Sequence, residues 1–164
     1  MVQAEDVSNL YKLFQENGIE VWIDGGWGID ALLGKQTRSH NDLDIAVDRR
    51  DEGKFRSLLN SLGYKDKEKD GVTKWNFILA NDNKEIDVHV FEFDNKGNNI
   101  YGIEYPKQSL TGTGTINGQT VKCIAPEDVV KFHENYEPKD VDYQDIQALC
   151  DKFGLELPNN YKKS

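Results

Sequence analysis

Asp24-Gly25-Gly26-Trp27-Gly28 and, one short helix later, Asp42-Leu43-Asp44-Ile45-Ala46-Val47 are the stretches whose reading decides the fold. The second is an apolar run that reads as a buried strand. Strand residues two apart share a face and stand about 6.6 Å apart along the chain. Asp42 and Asp44 therefore point the same way. Carboxylates persist in such a strand when something positive sits between them, and a divalent cation meets that need. The first stretch is a glycine turn ahead of a helix, where phosphate oxygens can approach bare backbone N–H groups. Together the two imply magnesium-dependent chemistry on a nucleotide.

The rest of the chain reads outward from these two. Upstream, Val7, Leu10, Leu13 and Phe14 recur at helical spacing within Val2–Asn17, and Ile19–Ile23 reads as a strand. The turn opens a short helix, Trp27–Leu33, followed by a polar loop, Lys35–Asn41. Downstream, Phe55, Leu58, Leu59 and Leu62 mark a second amphipathic helix over Arg50–Leu62. Val72–Ala80 and Glu85–Phe93 read as strands joined at Asn81-Asp82-Asn83-Lys84. On the second of these, Ile86, Val88 and Val90 share one face and Asp87, His89 and Phe91 the other. Asp94–Pro106 is a polar excursion. Leu110–Ile124 is a hairpin about Asn117-Gly118. Pro126, Glu127 and Asp128 open a helix to about Tyr136, Pro138 ends it, and Val141–Phe153 is the last helix. Trp22 and Trp75 read as core.

This order predicts an α+β fold (α/β mixed), a mixed β-sheet flanked by helices. The expected division is a core over residues 1–124 and a small C-terminal helical part over 125–164.

Asp87 supplies a third acid. If its strand lies beside the Asp42/Asp44 strand, three carboxylates converge. Magnesium favours oxygen ligands and binds through one or two carboxylates plus substrate phosphates, and a set without cysteine argues against zinc. Two such ions about 3.5–4 Å apart stabilise the attacking and leaving oxygens of an in-line displacement. Gly25 and Gly26, with the helix start at Trp27, form the phosphate turn. Arg38 and His40 are the nearest cations for a polyphosphate. Each feature has a plainer reading: Asp42 as a cap, Asp44 paired with Arg38, Asp87 as an outward acid, His89 as a core histidine. The combination outweighs them.

Composition narrows the partners. The net charge of −9 in 164 residues repels nucleic-acid backbones and suits a small cationic substrate. Two widely spaced cysteines, Cys123 and Cys150, fit a reducing cytoplasm, and no signal peptide or membrane span is read.

The segments Trp22–Asp30, Gly34–Ile45, Ile86-Asp87-Val88-His89 and His133-Glu134-Asn135-Tyr136 resemble the small lincosamide nucleotidyltransferases. These are antibiotic nucleotidyltransferases of the DNA polymerase β-like superfamily. The resemblance covers most of the chain and implies the polymerase β-like nucleotidyltransferase fold. It implies transfer of AMP from ATP to a hydroxyl of a lincosamide, with pyrophosphate leaving. It makes Asp42 and Asp44 metal ligands, and Asp87 a general base that also reaches the metal. Gly26 stands where one superfamily form has serine, so backbone N–H groups must serve. His89, Tyr101, Tyr105, His133 and Tyr136 are candidates for the acceptor pocket. The alternatives are an aminoglycoside acceptor and an antitoxin-type enzyme acting on a protein toxin. A small core with an exposed pocket also leaves room for a homodimer.

Overall fold

A computed structural model describes residues 1–162; the last two residues of the expected C-terminal part lie outside it. Helix α1 spans Ala4–Glu16 and buries Val7, Leu10, Tyr11 and Phe14 on one stripe. The Asp6 carboxylate accepts from the Gln3 N–H at 2.9 Å and closes its first turn. Strand β1 (Val21–Asp24) leads directly into α2 (Gly25–Leu33), and Gly34 ends that helix in the left-handed conformation. Strand β2 (Asp42–Asp48) follows, then α3 (Glu52–Ser61), whose Phe55 stacks on Phe14 of α1 with ring centres 5.0 Å apart.

The remaining strands are β3 (Lys65–Lys67), β4 (Asn76–Asn81), β5 (Lys84–Phe93), β6 (Asn99–Gly102), β7 (Gly112–Ile116) and β8 (Gln119–Cys123). Asn117 and Gly118 both have positive φ, which suits the tight β7–β8 turn. Helix α4 (Pro126–Phe132) passes through a 3-10 turn at His133–Asn135, and α5 (Asp140–Phe153) closes the set. The sheet runs β3-β4-β5-β2-β1-β8-β7, with β6 on the free side of part of β5. It is mixed: β2 is parallel to β5 and β1 to β8, while β1–β2, β3–β4, β4–β5, β5–β6 and β7–β8 are antiparallel. The expected α+β class and mixed sheet are the observed ones. Among the described residues, no helix is long and apolar enough to cross a membrane.

Register explains where the core ends and the site begins. Residues directly opposite on paired strands share a face. Ile23↔Ile45↔Val88↔Phe77 and Val21↔Val47↔Val90 therefore line one face, all of them buried. The other face carries Asp24↔Asp44↔Asp87. Its acids are thus a consequence of strand pairing, not of any local motif.

Four expectations shift. The helix after β1 begins at Gly25, not Trp27, because Asp24 caps it by accepting from the Gly25 N–H at 2.8 Å. The strand expected from Val72 begins at Asn76, because the Thr73 hydroxyl accepts from the Trp75 and Asn76 N–H groups and holds a turn. Trp75 is 40% exposed rather than core. Strand β6 falls inside the expected polar excursion Asp94–Pro106, and β3 falls in a stretch given no element, since Lys65-Asp66-Lys67 is exposed and carries no apolar residue.

Candidate active site

Three adjacent strands put Asp24, Asp44 and Asp87 in one transverse row. Asp44 and Asp87 join His89, one strand repeat further on, in a set whose possible ligand atoms all lie within 4.8 Å of one another. Asp42 stands on the same face of β2 but outside that tight set. Its charge still reaches Asp44. Asn76 on β4 donates to Asp87 Oδ1 at 2.6 Å and so fixes that carboxylate from the side.

His89 lies among the acids. Its Nε2 is 3.2 Å from Asp87 Oδ1 and 3.6 Å from Asp44 Oδ1, and its Nδ1 is 3.6 Å from Asp24 Oδ2. Tyr105 donates its one proton to Asp24 Oδ2 at 2.6 Å, so its oxygen accepts from His89 Nδ1 at 3.0 Å. Charge follows from this packing. Burial alone would lower the His89 pKa, but contact with Asp24 and Asp87 and the charge of Asp44 push it up to about 10. Burial, with the charges of Asp24, Asp42 and Asp87 behind it and His89 opposing, raises Asp44 to about 7. Burial would also raise Asp24, yet its contacts with His89, Tyr105 and the Gly25 N–H hold it below the usual carboxylate value. Tyr105 is pushed well above the usual phenol value by burial and by Asp24.

This donor set fits a hard divalent cation. Asp44 is a sunken carboxylate crowded by three acids, so ionising it in place calls for positive charge beyond His89. Oxygen ligands from Asp44 and Asp87, with Asp42 at the rim, match magnesium better than a softer ion.

The first turn of α2 meets this row. Gly25 has φ +57°, and a β-carbon there would overlap the Asp44 carboxylate. Only glycine lets the helix start so close to the acids. At Gly26 a β-carbon would stand 2.5 Å from His40 Nδ1 and 2.8 Å from Arg38 Nη2. Arg38 therefore lies directly over the phosphate turn.

The other expected residues are placed differently. Trp27 is 2% exposed, with its indole against His40 at 4.6 Å, so its ring belongs to the core and not to a ligand surface. His40 is 4% exposed and its Nε2 bonds Asp30 Oδ2 at 2.5 Å, so its ring braces Arg38 instead of facing solvent. Tyr105 is buried and holds Asp24 from within the core, so it does not line a surface open to an acceptor. Tyr101 pairs with Glu92, which has the opposite parity to Asp87, and carries Arg49 over its ring at 3.9 Å. Pairing puts it on the far face of the sheet from the acids. His133 donates from Nδ1 to the Val129 carbonyl at 2.7 Å and packs on Tyr136, ring centres 5.3 Å apart. Their route to the acid row runs through the neighbouring Phe132, whose ring is 6.2 Å from Tyr105.

Sequence reasoning missed Asp24, Asp30, Asn76 and Asp145. Asp24 was legible only as a turn residue, and Asp30 and Asp145 as ordinary helix acids. Asn76 lies in a segment whose strand start was misplaced by four residues.

The family model described as aminoglycoside-2''-adenylyltransferase matches residues 6–149. A lincosamide resistance protein of Staphylococcus haemolyticus is 29% identical over 153 residues, covering 90% of this chain and 94% of the relative. A 2''-aminoglycoside nucleotidyltransferase of Escherichia coli is 26% identical over 167 aligned positions, covering 94% and 92%. Among solved structures, the lincomycin-bound lincosamide antibiotic adenylyltransferase LnuA superposes with a TM-score of 0.77 at 25% identity, covering 90% of this chain and 96% of that one.

Proposed function

We propose, for a chain that belongs to the aminoglycoside-2''-adenylyltransferase family and is therefore a nucleotidyltransferase, transfer of AMP from ATP to a hydroxyl of a lincosamide, with release of pyrophosphate. The observation that carries this reading is the in-register row Asp24–Asp44–Asp87 against the side-chain-free start of α2.

Asp44 and Asp87, with Asp42 at the rim, would hold magnesium, which when bound neutralises the triphosphate and the charge that develops at the α-phosphate. The Gly26 N–H and Arg38 bind the polyphosphate, while the Gly25 N–H, which the sequence offered for the same task, is held by the Asp24 cap. Asp87 takes the proton of the acceptor hydroxyl. The acceptor oxygen bonds to the α-phosphorus as the bond to the departing pyrophosphate breaks. Asn76 keeps Asp87 aimed, and Tyr105 with His89 keeps Asp24 from competing for the same cation.

For the acceptor, the lincosamide is favoured by two likenesses that span most of the chain, the lincosamide resistance protein of Staphylococcus haemolyticus and the lincomycin-bound adenylyltransferase LnuA. The aminoglycoside reading stands second, supported by the matching family model and the Escherichia coli relative. Both free thiols, Cys123 and Cys150, are buried, in keeping with a cytoplasmic enzyme.

Incubation with ATP, magnesium and a panel of lincosamides and aminoglycosides, followed by mass spectrometry, tests the acceptor. The expected result is one added AMP on lincomycin or clindamycin, with one pyrophosphate released per adduct. AMP on aminoglycosides alone would install the second reading. Adducts on neither class would remove both.

A further inference from the structure

We infer that Asp145, on the C-terminal helix α5, is a positioning residue for the nucleotide: it aims the Arg38 guanidinium at the polyphosphate over Gly26. This rests on the reading above that phosphate binds at that turn.

Arginine has five N–H donors and no acceptor. In Arg38, Nε and Nη2 both donate to Asp145 Oδ2, at 3.2 and 3.0 Å. Nη1 donates to His40 Nδ1 at 3.1 Å and to the Ser39 carbonyl at 3.4 Å. Four donors are thus engaged, and one N–H on Nη2 has no partner among the described residues. Nη2 is also the atom that a β-carbon at Gly26 would meet at 2.8 Å. The free donor is thus carried by an atom that closes on the first turn of α2.

The support beneath Arg38 is buried and polar. Because Arg38 only donates, His40 Nδ1 accepts, and His40 Nε2–H donates to Asp30 Oδ2 at 2.5 Å. Asp30 is 2% exposed and its other oxygen takes the Thr37 N–H and hydroxyl. Asp145 is 5% exposed, on the stripe of α5 that buries Ile146 and Leu149. Two turns further on, Lys152 donates to the Leu32 carbonyl near the end of α2 at 2.8 Å. Seven residues of helix span about 10 Å, so α5 binds the end of α2 directly and faces its first turn through Arg38. A surface arginine tethered only to solvent would have to be ordered by the ligand itself. Here that ordering is done before ATP arrives.

The test is titration calorimetry of magnesium-ATP into the wild type, Arg38→Ala, Asp145→Asn and the double variant, with the KM for ATP and for acceptor measured alongside. Each single change is expected to weaken ATP binding about tenfold, as for loss of one charged hydrogen-bonding arrangement. The double variant is expected to bind no more weakly than Arg38→Ala, and the acceptor KM to hold. Wild-type affinity in Asp145→Asn, or losses that multiply in the double variant, would overturn the inference. Wild-type affinity in Arg38→Ala would instead remove phosphate from this turn, and the inference with it. If Asp145→Asn does not fold, Arg38→Lys carries the test with α5 intact. It keeps the charge but cannot span Asp145 and His40 together, so unchanged ATP affinity there would also overturn the inference.

Discussion

Asp87→Asn is expected to lower turnover by roughly 10²–10⁴-fold, the usual contribution of a positioned general base, while leaving magnesium-ATP affinity nearly unchanged. The amide keeps one oxygen for a cation and can still bond Asn76, which reaches Asp87 Oδ1 at 2.6 Å. What it loses is the ability to take the acceptor proton. The fold should not suffer, because the change removes one of the charges crowding Asp44. Single-turnover kinetics beside a melting curve separate these effects. Turnover near that of the wild type would take Asp87 out of the base role and leave it a cation ligand only.

Gly25→Ala is expected to abolish magnesium-ATP binding and to destabilise the protein. Two independent costs meet at this position. A left-handed conformation at φ +57° costs a side-chain-bearing residue about 1–3 kcal/mol. The added methyl group would also occupy the place of the Asp44 carboxylate, contacting its Cβ and Cγ as well as its oxygen. Asp44 is anchored by strand pairing on both sides, so it has little freedom to retreat. Gly26→Ala makes the informative contrast, since φ there is ordinary and the methyl group would press on the His40 ring and Arg38 instead. A Gly25→Ala protein that melts with the wild type and binds magnesium-ATP would show that α2 does not need to start against the acids.

Much of this site could be read before the fold was known, and the reason is physical. Carboxylates in an apolar strand are expensive unless a charge answers them, so Asp42, Asp44 and Asp87 stand out against their neighbours. Glycines ahead of a helix likewise mark a place where backbone is bare. Less could be said where a residue's meaning depends on its partner across the sheet. Asp24 looks like part of a turn until β1 pairs with β2 and aligns it with Asp44. Tyr101 and Tyr105 sit four residues apart in the same polar stretch, yet pairing sends Tyr101 to the far face while Tyr105 turns inward to Asp24. His40 and Arg38 read as equivalent cations. The difference between them, one buried on Asp30 and the other poised over Gly26, is set by two helix acids, Asp30 and Asp145. Edge strands such as β3 leave no apolar trace, because residues exposed on both faces are free to be Lys-Asp-Lys, here with Asp66 paired to Arg56 and Lys67 to Glu85.

The acids of β2 and β5 are proposed to hold magnesium and nucleotide, and titration calorimetry of magnesium-ATP into the wild type and Asp44→Asn decides whether they do. Asp44→Asn removes a carboxylate that burial and three neighbouring acids disfavour, so the variant should fold and melt no lower than the wild type without metal. The wild type is expected to bind magnesium-ATP and Asp44→Asn to show no binding; equal affinity in a well-folded Asp44→Asn protein would mean that these acids do not hold the metal and nucleotide.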